Sequence, residues 1–368
     1  MKNWSRRNFL KLALGTPLIG VPLASQANEV LKPREIKDPP VPRKVPVIMA
    51  TSKNSVVRFV FNDAIIAEMA SQAVARLFGK PTIGEAFKEL FKPSDVVGLK
   101  VNASGGPVTS THKGVVNAMI SGLSQAGVPA RQIIIWDKYR NKLEEAHYYK
   151  TNWKDGVQVL ATSPDAGYDP AAQYDFEAVG QLIWGDHEFD PNQKTAMGED
   201  ILGNRQLSNK SHFSSIITKK VNKVINLASL SDHPDLGVYG CLANIVIGAT
   251  DNSRRFCNDP YYGDPALHEI YSRPWFRKKT VFHLLDSLLV TYAGGPEFSA
   301  EFSDHTNRII VTTDPVAADS IGLDILSQLR TKNKVDVPPH FGTYIQAAAD
   351  QYQGINNRSQ MMIQEFDI

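Results

Sequence analysis

Apolar residues fall along this chain in two rhythms. One is a set of short, nearly unbroken runs: DVVGLKVN over 95–102, IIIWD over 133–137, KVINLASL over 223–230, a longer run over 280–291, and RIIVT over 308–312. Continuous β-branched runs of this length suit strands buried on both faces of a sheet. The other rhythm is helical. Val115, Val116, Met119, Ile120 and Leu123 share one face between Lys113 and Ala126, and Gly127 sits where a left-handed residue ends a helix. Helical patterns also cover 65–77, 83–91 (closed by Lys92-Pro93), 241–249 and 344–352. Asp314 followed by Pro315 opens another helix, with Ala317, Ala318, Ile321 and Ile325 along one side.

Strand, helix and strand over 95–137 make a βαβ unit, whose strands should be parallel and whose crossover should be right-handed. The expected fold is therefore α/β, with a mostly parallel or mixed central sheet flanked by helices. Residues 151–215 are polar and alternate only around Val179 to Phe189, which predicts an inserted hairpin lobe on a single domain of 47–368.

The first 46 residues follow neither rhythm. Ser5-Arg6-Arg7-Asn8-Phe9-Leu10-Lys11 precedes an apolar stretch, Leu12 to Leu23, that Gly15, Pro17, Gly20 and Pro22 interrupt. It is too short and broken to stay in a membrane, and Ser25-Gln26-Ala27 supplies small residues for signal peptidase. The pattern resembles the twin-arginine signal of bacterial precursors. That resemblance implies a signal over 1–27, the twin-arginine translocase as partner, a periplasmic destination reached in the folded state, and no membrane anchor after cleavage. Many clients of that route acquire a metal or organic cofactor before export. Pro33, Pro39, Pro40, Pro42 and Pro46 make 28–46 an extended linker.

Charge changes the picture once the signal is set apart. The formal net charge is +2, but Lys2, Arg6, Arg7 and Lys11 stand in residues 1–27 without any acid, so the rest carries −2. Without a basic run or patch, nucleic acid and anionic membrane surfaces are not expected partners. Cys241 and Cys257 are the two cysteines, which excludes four-cysteine iron–sulfur and zinc-ribbon sites. They could form a disulfide in an oxidising compartment, or remain buried thiols if folding precedes export. No GxSxG, HExxH or complete GxGxxG pattern occurs.

In open parallel sheets, ligands bind beyond the carboxyl ends of the strands. Lys100 and Asn102 end the first run, followed by Gly105-Gly106 and by His112 at the next helix entrance; Asp137 ends the second run, and Asp232-His233 follow the third. Lysine, carboxylate and histidine at neighbouring strand ends could hold a small anionic ligand, or a divalent metal through His112, Asp137 and His233. Lys100, Asp232 and His233 are the catalytic candidates, although adjacent side chains on extended backbone point to opposite faces. Asn102, Gly105, Gly106, Asp286 and Asp319 are candidates for contact with a ligand or cofactor whose identity stays open.

Several stretches, taken in order, resemble the family named only as domain of unknown function 362. They are DVVGLKVN with GVVNAMISGLSQAGVPARQIIIWD, then VNKVINLASLSDHPDLGVYGCLANIVIGA, then LLDSLLVTYAGGPEF with IIVTTDPVAADSIGLDIL, spanning roughly 55–330. The family's Lys-Pro-Asn is matched by Lys100-Val101-Asn102, its Lys-Thr-His by Ser231-Asp232-His233, and its Leu-Lys-Asn by Leu242-Ala243-Asn244. Two of those lysines are replaced here, which shifts weight toward Asp232, His233 and Asn244. Asp286 and Asp319 fall on the family's Ile-Asp-Gly and Asp-Pro-Val-Ala-x-Asp elements. Some relatives carry a ferredoxin-type module, for which this chain lacks the cysteines. The resemblance implies an α/β fold and leaves two readings open: an exported enzyme or cofactor-handling protein, or a non-catalytic binding or maturation subunit for a periplasmic redox enzyme. Both require Lys100, Asp137 and His233 to reach a common rim.

Overall fold

The computed structural model describes residues 44–192 and 206–368, so the signal expected at 1–27 lies outside the described residues, as does the expected linker up to residue 43. Its strands are β1 (Val45–Thr51), β2 (Val56–Val57), β3 (Val60–Phe61), β4 (Val97–Val101), β5 (Ile133–Tyr139), β6 (Gln158–Ser163), β7 (Tyr168–Gln181), β8 (Leu207–Ser214), β9 (Lys223–Ser231), β10 (Thr280–Thr291), β11 (Ser303–Thr312) and β12 (Met361–Asp367). The helices are α1 (Asp63–Leu77), α2 (Ile83–Leu90), α3 (Gly106–Thr109), α4 (Lys113–Gln125), α5 (Arg140–Glu145), α6 (Cys241–Ile247), α7 (Arg254–Cys257), α8 (Ala266–Tyr271), α9 (Pro274–Arg277), α10 (Pro315–Lys332) and α11 (Thr343–Asp350).

Eight strands form one mixed sheet in the order β12-β1-β11-β10-β9-β4-β5-β6. From β10 to β6 every neighbouring pair is parallel, whereas β11 runs against both β10 and β1. The period of two divides each strand between two cores. Leu99, Val101, Ile225, Leu227, Ile309 and Val311 pack beneath α1, α2 and α4. Trp136, Val224, Leu230, Leu285 and Ile310 pack beneath α6, α8, α10 and α11. Since Leu99 and Val101 face the first core, Lys100 between them faces the second.

The chain leaves β4 in one direction, through α4 to β5, while β9 on its other side leads on to β10. The order of strands therefore reverses between β4 and β9, which makes a crevice at their carboxyl ends. Two expectations need correction here. Val45 and Pro46, read as the end of the linker, already belong to β1, where the Pro46 carbonyl accepts from Thr312 Oγ1 at 2.9 Å. The expected insertion at 151–215 begins too early, because β6 joins the main sheet beside β5 and only β7 and β8 form the separate hairpin.

Candidate functional site

A cleft of about 410 Å³ opens beside this reversal, lined among others by Asp137, Lys138 and Tyr139 of β5, His233 after β9, Gly248 after α6 and Arg254 of α7. The hairpin segment contributes Ile183 and Asp186. Asp137 and His233, 96 positions apart in the numbering, thus reach one cavity.

Lys100 lies beneath that cavity rather than in it, with no exposed surface. Its Nζ donates to Asp137 Oδ1 at 2.7 Å, to the Val101 carbonyl at 2.7 Å and to Asn244 Oδ1 at 2.9 Å. An ammonium has three N–H donors, and all three are engaged inside the protein. Burial pushes the Lys100 pKa down, and the Asp137 carboxylate acts against that. A side chain at Gly248 would collide with the Lys100 ammonium, so glycine is required there. Asp137 also accepts from the Lys138 amide through Oδ1 at 2.7 Å and from the Ala103 amide through Oδ2 at 2.8 Å. Lys100 therefore cannot anchor a ligand directly, and its influence on the cleft passes through Asp137.

His233 is half-buried, and its Nδ1 accepts from the Asp235 and Leu236 amides at 3.2 and 3.3 Å. With Nδ1 accepting, the ring proton sits on Nε2, which makes that atom a donor. Burial pushes the His233 pKa down and keeps the ring neutral. Tyr239 stacks on it, with ring centroids 6.0 Å apart and planes 17° apart. Asp232, its sequence neighbour, does not line the cleft: it meets Arg330 of α10 at 2.6 Å, both side chains buried. Burial raises the Asp232 pKa while Arg330 opposes the rise.

His112 belongs elsewhere. Its Nδ1 pairs with Asp286 Oδ2 at 2.7 Å, and its Nε2 meets the Val108 carbonyl at 3.1 Å, at the wall of a second pocket of about 200 Å³. With both nitrogens engaged toward acceptors the ring is a cation; burial opposes that charge, but Asp286 outweighs it and the pKa is raised. The expected metal set of His112, Asp137 and His233 is therefore not assembled. Among the described residues no group of three or more His, Cys, Asp or Glu side chains is placed to hold a metal ion.

The other candidates shape the scaffold. Asn102 Oδ1 accepts from the Ser104 amide at 3.0 Å and bends the loop after β4. Gly105 precedes α3, where a side chain would run into Thr109, and Gly106 takes φ +60°, a left-handed conformation that glycine adopts without cost. Neither glycine lines the larger cleft. Asp286 fixes His112, and Asp319 accepts from the Leu242 amide at 3.0 Å and from the Cys241 amide, holding the start of α6. Asn244 on that helix bonds Lys100. Cys241 and Cys257 are both buried, unlinked thiols.

Sequence reasoning passed over Tyr139, Tyr239 and Arg254 in the cleft, and Asn226 and His283 below it. The last two carried a usable signal: each is a polar residue between two apolar neighbours in a strand run, Asn226 between Ile225 and Leu227 and His283 between Phe282 and Leu284, and each is buried.

The family model described as domain of unknown function (DUF362) matches residues 97–324. A crystal structure of a protein from Thermotoga maritima is similar, with 10% sequence identity and a TM-score of 0.36, over 75% of this chain and 60% of that one. The chain thus spans 60% of that protein's length. Comparison with curated proteins finds no match.

Proposed function

This chain belongs to the DUF362 family, and we propose that it is an exported protein whose cleft binds a small molecule bearing a carboxylate or phosphate group, with Asp137 and His233 in contact with it. One observation carries the reading: a carboxylate and a neutral imidazole from distant parts of the chain line the same cavity at a reversal of strand order. They supply an acceptor and a donor. Lys138 and Arg254 add positive charge; the Lys138 ammonium gives one bond to Ser253 Oγ at 3.3 Å, and the Arg254 guanidinium has no hydrogen-bond or ion-pair partner among the described residues.

The chemistry open to this arrangement is proton transfer. Asp137 is positioned to accept a proton from a ligand hydroxyl or amine, while His233 Nε2–H donates to a ligand oxygen. The export half of the reading draws on Arg6-Arg7 and on the apolar stretch and small residues that follow.

Both halves have direct tests. Calorimetric titration with inorganic phosphate and with citrate should show binding that falls at least about tenfold, some 1.4 kcal/mol, in Arg254→Ser and in His233→Leu. Absence of binding to the unaltered protein at millimolar concentrations would refute the ligand reading. Cell fractionation should find the protein in the periplasm, and Arg6→Lys with Arg7→Lys should retain it in the cytoplasm.

A further inference from the structure

The sheet face that carries Lys100 also buries Asn226 of β9, His283 of β10, Asn244 of α6 and Tyr271 of α8, each no more than 4% exposed. These side chains form one continuous line. Lys100 Nζ donates to Asn244 Oδ1 at 2.9 Å, and Asn244 Nδ2 donates to Asn226 Oδ1 at 2.8 Å. Asn226 Nδ2 then donates to His283 Nδ1 at 2.9 Å and to the Cys241 carbonyl at 2.8 Å. His283 Nε2 stands 3.1 Å from the Tyr271 hydroxyl.

The direction of donation follows from the amides. Both hydrogens of Asn226 Nδ2 have acceptors, so His283 Nδ1 carries no proton and Nε2–H donates to Tyr271. Every link therefore donates away from Lys100, and every amide turns its oxygen toward it. Aligned hydrogen bonds in a low-dielectric interior polarise one another. Such a line favours positive charge at its Lys100 end. Apolar residues of similar shape would fill this face at little or no loss of stability, so packing alone does not account for four polar groups.

We propose that Asn244, Asn226, His283 and Tyr271 are positioning residues that hold Lys100 as an ammonium paired with Asp137 at the floor of the cleft. The assignment of Asp137 to a ligand rests on the proposed function, but the charge on Lys100 is measurable without any ligand. Lys100 is faced by Asp137 and Lys138 from β5, and the thiol of Cys241 lies on α6 beside the line. Burial pushes His283 down to about 3, so the ring stays neutral and the direction of the line does not reverse over the ordinary pH range.

The test is NMR of ¹⁵N-lysine-labelled protein, following Lys100 Nζ from about pH 6 to 11, a range that brackets ordinary lysine titration. Asn244→Leu should lower the midpoint for loss of the ammonium by about one pH unit, a tenfold change in the ammonium-to-amine ratio. His283→Leu, two links further on, should lower it by less, and His283→Gln, which restores an acceptor for Asn226, should return it to the wild-type value. Equal midpoints for wild type and His283→Leu, or equal shifts for His283→Leu and His283→Gln, overturn the proposal whether or not phosphate binds. If Asn244→Leu fails to fold, Asn244→Asp takes its place: a carboxylate facing Lys100 must raise the midpoint, and an unchanged or lowered value overturns the proposal.

Discussion

Tyr344 and Asp319 meet in the core, the tyrosine hydroxyl donating to Asp319 Oδ2 at 2.8 Å beside the two α6 amides that share the carboxyl group. Burial pushes the Asp319 pKa up from 3.8 to about 7 against the pull of those three donors. The folded chain therefore keeps a proton that the unfolded chain releases. The stability linked to this group is complete below pH 3.8 and is lost as pH rises toward about 7. Asp319→Asn removes the titration, so its melting temperature should fall less than that of wild type across this interval. Parallel melting curves for the two proteins over that range would contradict the assignment.

The Lys100–Asp137 pair gives a prediction about energy. Removing one partner of a buried ion pair strands the other charge, at a cost of about 3–5 kcal/mol, whereas removing both leaves no stranded charge. Lys100→Met should fall near the low end of that range, because Asp137 retains the Lys138 and Ala103 amides. Urea unfolding measures it. The Lys100→Met, Asp137→Leu double variant should be more stable than Lys100→Met alone, and a less stable double variant would mean that the charges are not coupled.

The strands that the sequence revealed are those whose neighbours bury them on both faces: β4, β5, β9, β10 and the end of β11 read as apolar runs because most positions on both sides are buried among apolar neighbours, with only a few polar residues between them. Strand β12 did not reveal itself, since as the sheet's last strand it exposes Met362 through Glu365 and carries no unbroken buried run. β1 was hidden by Pro46, which reads as linker although it occupies only the second position of the strand. The same physics sorts the site. Alternation along β4 shows that Lys100 faces away from Leu99 and Val101, but its bond to Asn244 exists only once α6 has docked on the sheet, 144 positions later. His112 and Asp286, 174 positions apart, likewise became a pair through packing that no local pattern records.

His233 makes a prediction about pH. An ordinary histidine gains charge below about pH 6.5 and would strengthen anion binding there. Burial pushes His233 lower, and the two amides directed at Nδ1 resist protonation. Its folded pKa is depressed, so the stability linked to it is present above 6.5 and is lost as pH falls below that value. Affinity for sulfate, whose own charge is constant here, should remain level from about pH 8 to 6.5 by calorimetry. An increase centred near 6.5 would show an exposed, ordinary imidazole.

Asp232 and His233 are adjacent in sequence and should separate completely in their effects. Extended backbone turns neighbouring side chains to opposite sides, and here one side holds Arg330 and the other the cleft. Asp232→Asn keeps the shape but leaves the buried guanidinium without its counter-charge, a loss of about 3 kcal/mol, and phosphate affinity should stay within about twofold, or 0.4 kcal/mol. His233→Leu should do the reverse, with unfolding changed by less than about 1 kcal/mol, because a half-buried ring is replaced by an apolar side chain, while anion binding weakens at least about tenfold. Calorimetry and urea unfolding on the same two proteins give four values. If Asp232→Asn were to abolish binding in a fully folded protein, Asp232 would have to reach the ligand, and the division of labour between these two neighbours would be wrong.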